Sequence, residues 1–367
     1  MNRRNFIAAA ALMAAGTARA APAPAQPAAA AAAPGPRNLI TDVAGLKVGQ
    51  AQDVAARTGT TVILPDEAAV VATEVGGGGP ATRETDATNP QNLVHAFDAV
   101  VLSGGSVYGL AAADGVVAWL GARHRGFGMS PDPKTPRSPV IPAAALYDLA
   151  NGGNKDWGLA PPYRALALAA MDAMGQDFAL GTAGAGYGAM SGGIKGGLGS
   201  ASIVTPDGIT VGALVAVNSA GSVVGGDGKS FWAAPFEIGA EFGGLGPAGL
   251  RSAPDDWARR RPPPAARKNT TLAVVATDVK LTSDEAKRVA IMAQDGMARA
   301  IRPSHTPFDG DIVFAMSTGK LEAAEPRAFT VARIGALAAD TLARAIARAV
   351  YLATPWPGSE VPTWKTG

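Results

Sequence analysis

Lys268-Asn269-Thr270-Thr271-Leu272-Ala273-Val274-Val275-Ala276-Thr277-Asp278 joins a basic, proline-rich segment to an apolar, β-branched run. The segment, residues 259–268, holds Pro262, Pro263 and Pro264 in a row. It reads as an exposed loop, and the run after it as a buried strand. Thr270 is then a hydroxyl residue at the first position of a core strand, just after a loop. Cleavage before Thr270 would give it a free α-amine beside its own hydroxyl, and that pair is an activated nucleophile. An ordinary loop-to-strand junction has the same spacing, so the choice depends on the rest of the chain.

The 367 residues are 47% hydrophobic and 17% charged, enough apolar material for one large core or two. A net charge of +2 and the lack of a basic stripe interleaved with aromatics argue against a nucleic-acid partner. No cysteine is present, which excludes disulfides and thiolate chemistry. The three histidines, His95, His124 and His305, do not stand at ligand spacing, so neither a zinc site nor a histidine-based triad is supported.

The first 20 residues read as an export signal. Arg3-Arg4 precedes an apolar run over residues 7–15, and Ala18-Arg19-Ala20 is an A-x-A cleavage site. The run is too short to span a bilayer. Its Arg-Arg-x-Phe pattern resembles a twin-arginine signal, and a periplasmic location is expected. Residues 21–36, rich in alanine and proline, read as a disordered linker, leaving 37–367 as a single domain.

Within that domain, residues 58–64 and 68–75 read as strands, the second ending in Gly76-Gly77-Gly78-Gly79-Pro80. Thr82-Arg83-Glu84-Thr85-Asp86 is either a solvated loop or a site wall. Residues 98–102 form a buried strand that Ser103-Gly104-Gly105-Ser106 turns into a helix, and 143–149 carry Tyr147. The glycine-rich stretch 181–197 lacks the spacing of a dinucleotide fingerprint. Gly228-Lys229-Ser230 lacks the upstream glycine of a phosphate loop, since Val223 stands there. The stretch 181–197 instead suggests backbone wrapped closely around something, with Lys195 its one charged group or simply a surface lysine. Residues 200–205 and 210–217 read as a hairpin ending at Asn218, a turn cap or an oxyanion donor. Residues 221–268 are long for a structureless loop and so suggest a functional or processed segment. Thr282-Ser283-Asp284-Glu285 is a capping box opening a helix. Asp309 and Asp311 flank a glycine before a strand at 312–316, a helix covers about 331–352, and 355–367 read as a tail.

Taken in order, these stretches resemble the DmpA-type peptidases, the L-aminopeptidase/D-esterase-amidases, which also include β-peptidyl aminopeptidases and nylon-oligomer (6-aminohexanoate-oligomer) endohydrolases. The likeness rests on Arg57-Thr58-Gly59-Thr60-Thr61, Thr82 to Asp86, Leu102-Ser103-Gly104-Gly105-Ser106, Gly192 to Gly197, Val217-Asn218, Asn269 to Asp278 and His305 to Asp311. It implies an α/β fold, a four-layer αββα sandwich of the self-processing N-terminal-nucleophile type. It further implies one cut between Asn269 and Thr270, giving chains 37–269 and 270–367. Thr270 is then the nucleophile, and Tyr147, Lys195, Asn218, Asp309 and Asp311 are site residues. Threonine in place of serine, with the Asp309/Asp311 pair, is more similar to the nylon-oligomer branch. In the implied scheme the α-amine is the base, Lys195 keeps it neutral, the aspartates orient it, and Asn218 with Tyr147 donates to the oxyanion. The expected substrate is a small peptide or amide oligomer. No metal or organic cofactor and no stable membrane association after signal removal are expected, and family analogy suggests a tetramer. An acyltransferase like ornithine acetyltransferase and a non-catalytic exported binding protein remain as alternatives.

Overall fold

The computed structural model describes residues 31–253 and 269–366. Twelve strands and four α-helices follow in the order β1 (Leu46–Asp53), β2 (Thr58–Pro65), β3 (Val70–Val75), β4 (Thr82–Arg83), β5 (Val100–Ser103), α1 (Ala112–Gly121), β6 (Ala143–Ala145), α2 (Tyr163–Asp172), β7 (Met190–Ser191) and β8 (Ile194–Lys195). They continue with β9 (Gly197–Val204), β10 (Thr210–Asn218), β11 (Thr270–Val279), α3 (Ser283–Ala300), β12 (Ile312–Leu321) and α4 (Arg327–Tyr351). One five-stranded sheet runs β1-β2-β5-β6-β4 and the other β3-β12-β11-β10-β9.

Three hydrophobic clusters show how these elements stack. Val62, Val101, Val116 and Ala167 pack α1 and α2 against the first sheet. Ile63, Leu102, Leu214 and Phe314 join the two sheets face to face. Val215, Val275, Val289 and Leu342 pack α3 and α4 against the second sheet. The layers are therefore α, β, β and α, as the resemblance implied.

The β11 strand explains why its sequence shows no polar alternation. Leu272, Val274 and Ala276 face the inter-sheet core, and Ala273 and Val275 face the helices. Both faces of a central strand are apolar here, so a continuous hydrophobic run is what the position requires. β11 pairs antiparallel with β10 and parallel with β12. At the site end, this register sets Asn218 directly opposite Thr270.

The box at Thr282 and Glu285 opens α3 as its spacing predicts: Glu285 accepts the Thr282 N–H at 2.9 Å. Two expectations need correction. Ala33 pairs with Val204, and the Gly35 N–H donates to Ser202 Oγ, so residues at the end of the expected linker 21–36 join the body. Of the expected tail 355–367, residues 355–366 are packed against the body, and Gly367 lies outside the described residues. Trp356 and Thr363 are buried, and Trp364 stacks near Phe231 and Tyr351, with ring centroids 5.3 and 5.0 Å away. Prolines, glycines and a few large aromatics carry no period, so the packing of this segment is invisible to pattern reading. The expected signal peptide 1–20 and the proline run 262–264 lie outside the described residues.

Candidate active site

Thr270 begins β11 and is 3% exposed. Its Oγ1 lies 2.5 Å from the carbonyl oxygen of Asn269, to which it donates. The same oxygen accepts the Gly310 N–H at 3.0 Å. Asn269 itself forms a parallel bridge with Asp309, so the residue before the strand is already held by the loop that precedes β12.

That loop carries both expected aspartates, each 1% exposed. Asp311 accepts the Thr271 N–H at 2.8 Å through one carboxylate oxygen. Its other oxygen accepts from the His305 N–H and meets His305 Nδ1, both at 3.0 Å. This double contact holds His305 at φ +55°, a left-handed conformation uncommon outside glycine. Burial disfavours the His305 cation, but the Asp311 hydrogen bond and charge, with the Gln294 main chain and the Asp309 charge, together hold the imidazole above its ordinary pKa. Asp309 accepts from the Ala220 N–H at 2.9 Å and from the Thr306 hydroxyl. Burial, and then the neighbouring Asp311 charge, raise its pKa.

The four-glycine run after β3 braces this loop from the other side. Gly76 and Gly77 donate to the Asp311 carbonyl at 2.9 and 3.2 Å, and Gly79 to the Asp309 carbonyl at 2.8 Å. A side chain at Gly77 would put its Cβ 2.4 Å from the Asp311 nitrogen, so backbone meets backbone here only because the residue is glycine.

Asn218 and Tyr147 meet, but not as two parallel donors. Asn218 Nδ2 donates to the Tyr147 carbonyl at 3.0 Å, and its Oδ1 accepts the Met190 N–H at 2.9 Å. Tyr147, just past β6, thus joins the site through its backbone. Met190 is in turn the β7 partner of Lys195. A line of contacts therefore runs from Lys195 through Met190 and Asn218 to Thr270.

Lys195 is fully buried. Its ammonium donates to the carbonyls of Gly196, Ala189 and Gly186 at 2.9, 3.0 and 3.3 Å and lies 5.1 Å from the centre of the Trp356 ring. The glycine-rich stretch is thus wrapped around the lysine's own charge. Burial lowers its pKa to about 7, against an opposing pull from the Asp148 carboxylate. Asp148 is buried too, accepts from Thr58 Oγ1 and the Gly105 N–H at 2.6 and 2.8 Å, and is raised by burial to about 6.

These elements bring a hydroxyl, its preceding carbonyl, two buried carboxylates and, through Met190, a near-neutral lysine together at one end of β10, β11 and β12. The chain matches the model of peptidase family S58 over residues 38–363. It belongs to that family. It is a hydrolase of amide or peptide bonds. The chain is 41% identical to an uncharacterised aminopeptidase of Mycobacterium tuberculosis, covering 89% of this chain and 97% of the relative. It is 27% identical to the 6-aminohexanoate-oligomer endohydrolase of Paenarthrobacter ureafaciens, covering 77% and 75%. Among solved structures, the L-aminopeptidase D-Ala-esterase/amidase of Ochrobactrum anthropi superposes with a TM-score of 0.63 at 22% identity over 90% of each chain. That protein is described as a variant of the Ntn hydrolase fold. A β-aminopeptidase of Burkholderia superposes with a TM-score of 0.64 at 23% identity over 89% of each chain. The DmpA-type resemblance and the fold it implied are thereby borne out. Overall identity is higher to the mycobacterial aminopeptidases than to the oligomer hydrolases, although Thr270 and the Asp309/Asp311 pair had pointed to the latter.

Sequence reasoning missed three contributors to the site of this S58 peptidase. His305 stood out only as an unpaired loop histidine, yet it grips Asp311. Trp356 was assigned to a tail, yet it covers Lys195 and donates to the Tyr187 carbonyl at 2.6 Å. Gly310 stands in the sequence only as the glycine between Asp309 and Asp311, yet its N–H reaches the Asn269 oxygen. Only the glycine between two acids was a visible signal.

Proposed function

We propose that this chain is a self-processing amide hydrolase with Thr270 as its nucleophile. One observation carries the reading: the Thr270 hydroxyl sits 2.5 Å from the oxygen of the carbonyl it must attack, at the first residue of a buried strand. In processing, Oγ1 adds to the Asn269 carbon, the Thr270 nitrogen leaves as an amine, and water hydrolyses the resulting ester. In turnover, the freed α-amine, with a pKa near ~8, takes the hydroxyl proton as Oγ1 attacks a substrate carbonyl. Asp311, which already holds the next N–H along, is well placed to orient that amine. Asn218 serves the substrate oxyanion, and loss of one such donor lowers kcat by about 10²–10³-fold. Lys195, with its pKa brought to about 7, disfavours protonation of the α-amine by like charge and so keeps it available as base.

Short peptides and 6-aminohexanoate oligomers are the proposed substrates, supported by the names of the relatives. The Arg3-Arg4 signal and the A-x-A site at 18–20 support export. A homotetramer is proposed by analogy alone.

Denaturing electrophoresis with N-terminal sequencing tests the core of the reading. Two bands are expected, the smaller beginning Thr-Thr-Leu-Ala, and Thr270→Ala should remain a single inactive band. Wild-type protein that hydrolyses amides while unbroken would rule the scheme out. A panel of peptides and oligomers scored by kcat/KM, with and without an amine acceptor, separates hydrolysis from acyl transfer and ranks the substrates.

A further inference from the structure

We infer that the main-chain N–H of Gly310 is the oxyanion donor for self-cleavage, a catalytic group distinct from the side chains that serve turnover. The inference rests on the self-processing reading and adds the group that stabilises its first intermediate. Two hydrogen bonds converge on the Asn269 oxygen, from Thr270 Oγ1 and from the Gly310 nitrogen. When Oγ1 bonds to the Asn269 carbon it gives up its proton, so it stops donating as negative charge builds on that oxygen. The Gly310 N–H at 3.0 Å then remains to meet the charge. As the tetrahedral intermediate collapses, the C–N bond breaks, and the Thr270 nitrogen takes up the proton that left Oγ1. One water later converts the ester to the Asn269 carboxylate and restores the hydroxyl.

The donor is held in place before the reaction begins. Asn269 and Asp309 form an isolated parallel bridge, the Asp309 carbonyl accepts from Gly79 at 2.8 Å, and the Asp309 carboxylate takes the Ala220 N–H and the Thr306 hydroxyl. A fixed dipole of this kind needs no reorganisation as charge develops, and that is why such donors count for so much. The absence of a side chain at 310 is equally required. A Cβ there would stand 2.7 Å from Thr270 Oγ1 and 2.8 Å from the Gly79 carbonyl, pushing the nucleophile off its carbonyl.

Backbone ester substitution during cell-free synthesis of the full chain isolates the donor without changing shape. Glycolic acid at 310 exchanges its N–H for an ester oxygen and also weakens the Asp309 carbonyl as acceptor of the Gly79 N–H, the bond that the matched control removes by itself. A matched control places glycolic acid at Gly79, which removes a brace of the same loop but no bond to the Asn269 oxygen. Appearance of the fragment beginning at Thr270 is timed on denaturing gels. The ester at 310 should slow cleavage about 10²–10³-fold, while the ester at 79 should leave it within a few-fold of wild type. Gly310→Ala should block cleavage. If the ester at 310 is processed at the wild-type rate, or if both esters slow processing equally, the assignment to Gly310 is wrong while self-processing stands. A wild-type chain that never cleaves at Asn269–Thr270 removes both.

Discussion

Lys195 is a residue whose burial acts against stability. Its folded pKa of about 7 lies well below the ordinary 10.5, mainly through burial. Between those values an unfolded chain binds a proton that the folded site does not, so stability rises with pH across that window and falls as pH drops towards 7. Comparing wild type with Lys195→Met in urea melts should therefore show the wild type gaining on the variant from about pH 7 to about 10.5, by at most about 1.4 kcal/mol per pH unit. A difference independent of pH would mean that the lysine is not held near neutrality. His305 has the opposite sign. Its raised pKa gives stability that is full below the unfolded value and is lost as pH rises through the folded one, so His305→Gln should narrow its deficit against wild type as pH rises through that range.

At the scale of elements, strands and helices were far more legible than the segments joining them. β11 was visible because both its faces are apolar, and α3 because its capping box and its face of Ala286, Val289, Ala290, Ala293 and Met297 repeat at helical spacing. The candidate side chains were legible only as members of an ordered set of motifs. Nothing in the sequence pairs Asn218 with the Tyr147 carbonyl, or Asp311 with His305, because those contacts depend on which loops the two sheets bring together. The C-terminal segment is the plainest case, since Trp356 acts through its burial and not through any pattern. Trp356→Ala should destabilise the fold by about 3–5 kcal/mol in thermal or urea melts and expose Lys195. An intact melting curve for that variant would show that the segment is dispensable. By contrast, Thr282→Ala should lose only about 1 kcal/mol, because it removes one cap from a helix packed along its whole length.

The proposed cut at Asn269–Thr270 would not take the whole molecule apart. β11 lies in the middle of its sheet, hydrogen-bonded to β10 on one side and β12 on the other, and both its faces are buried. The fragment from Thr270 onward also supplies α3 and α4, one outer layer of the sandwich. The processed fragments should therefore co-elute in size-exclusion chromatography without denaturant and separate only when unfolded; separation under native conditions would contradict this packing. Self-cleavage is tested most directly by the intact mass of active wild-type protein, measured under denaturing conditions. Two species are expected, one with the mass of the chain from Thr270 onward. A single unbroken species that still hydrolyses amide bonds would contradict it.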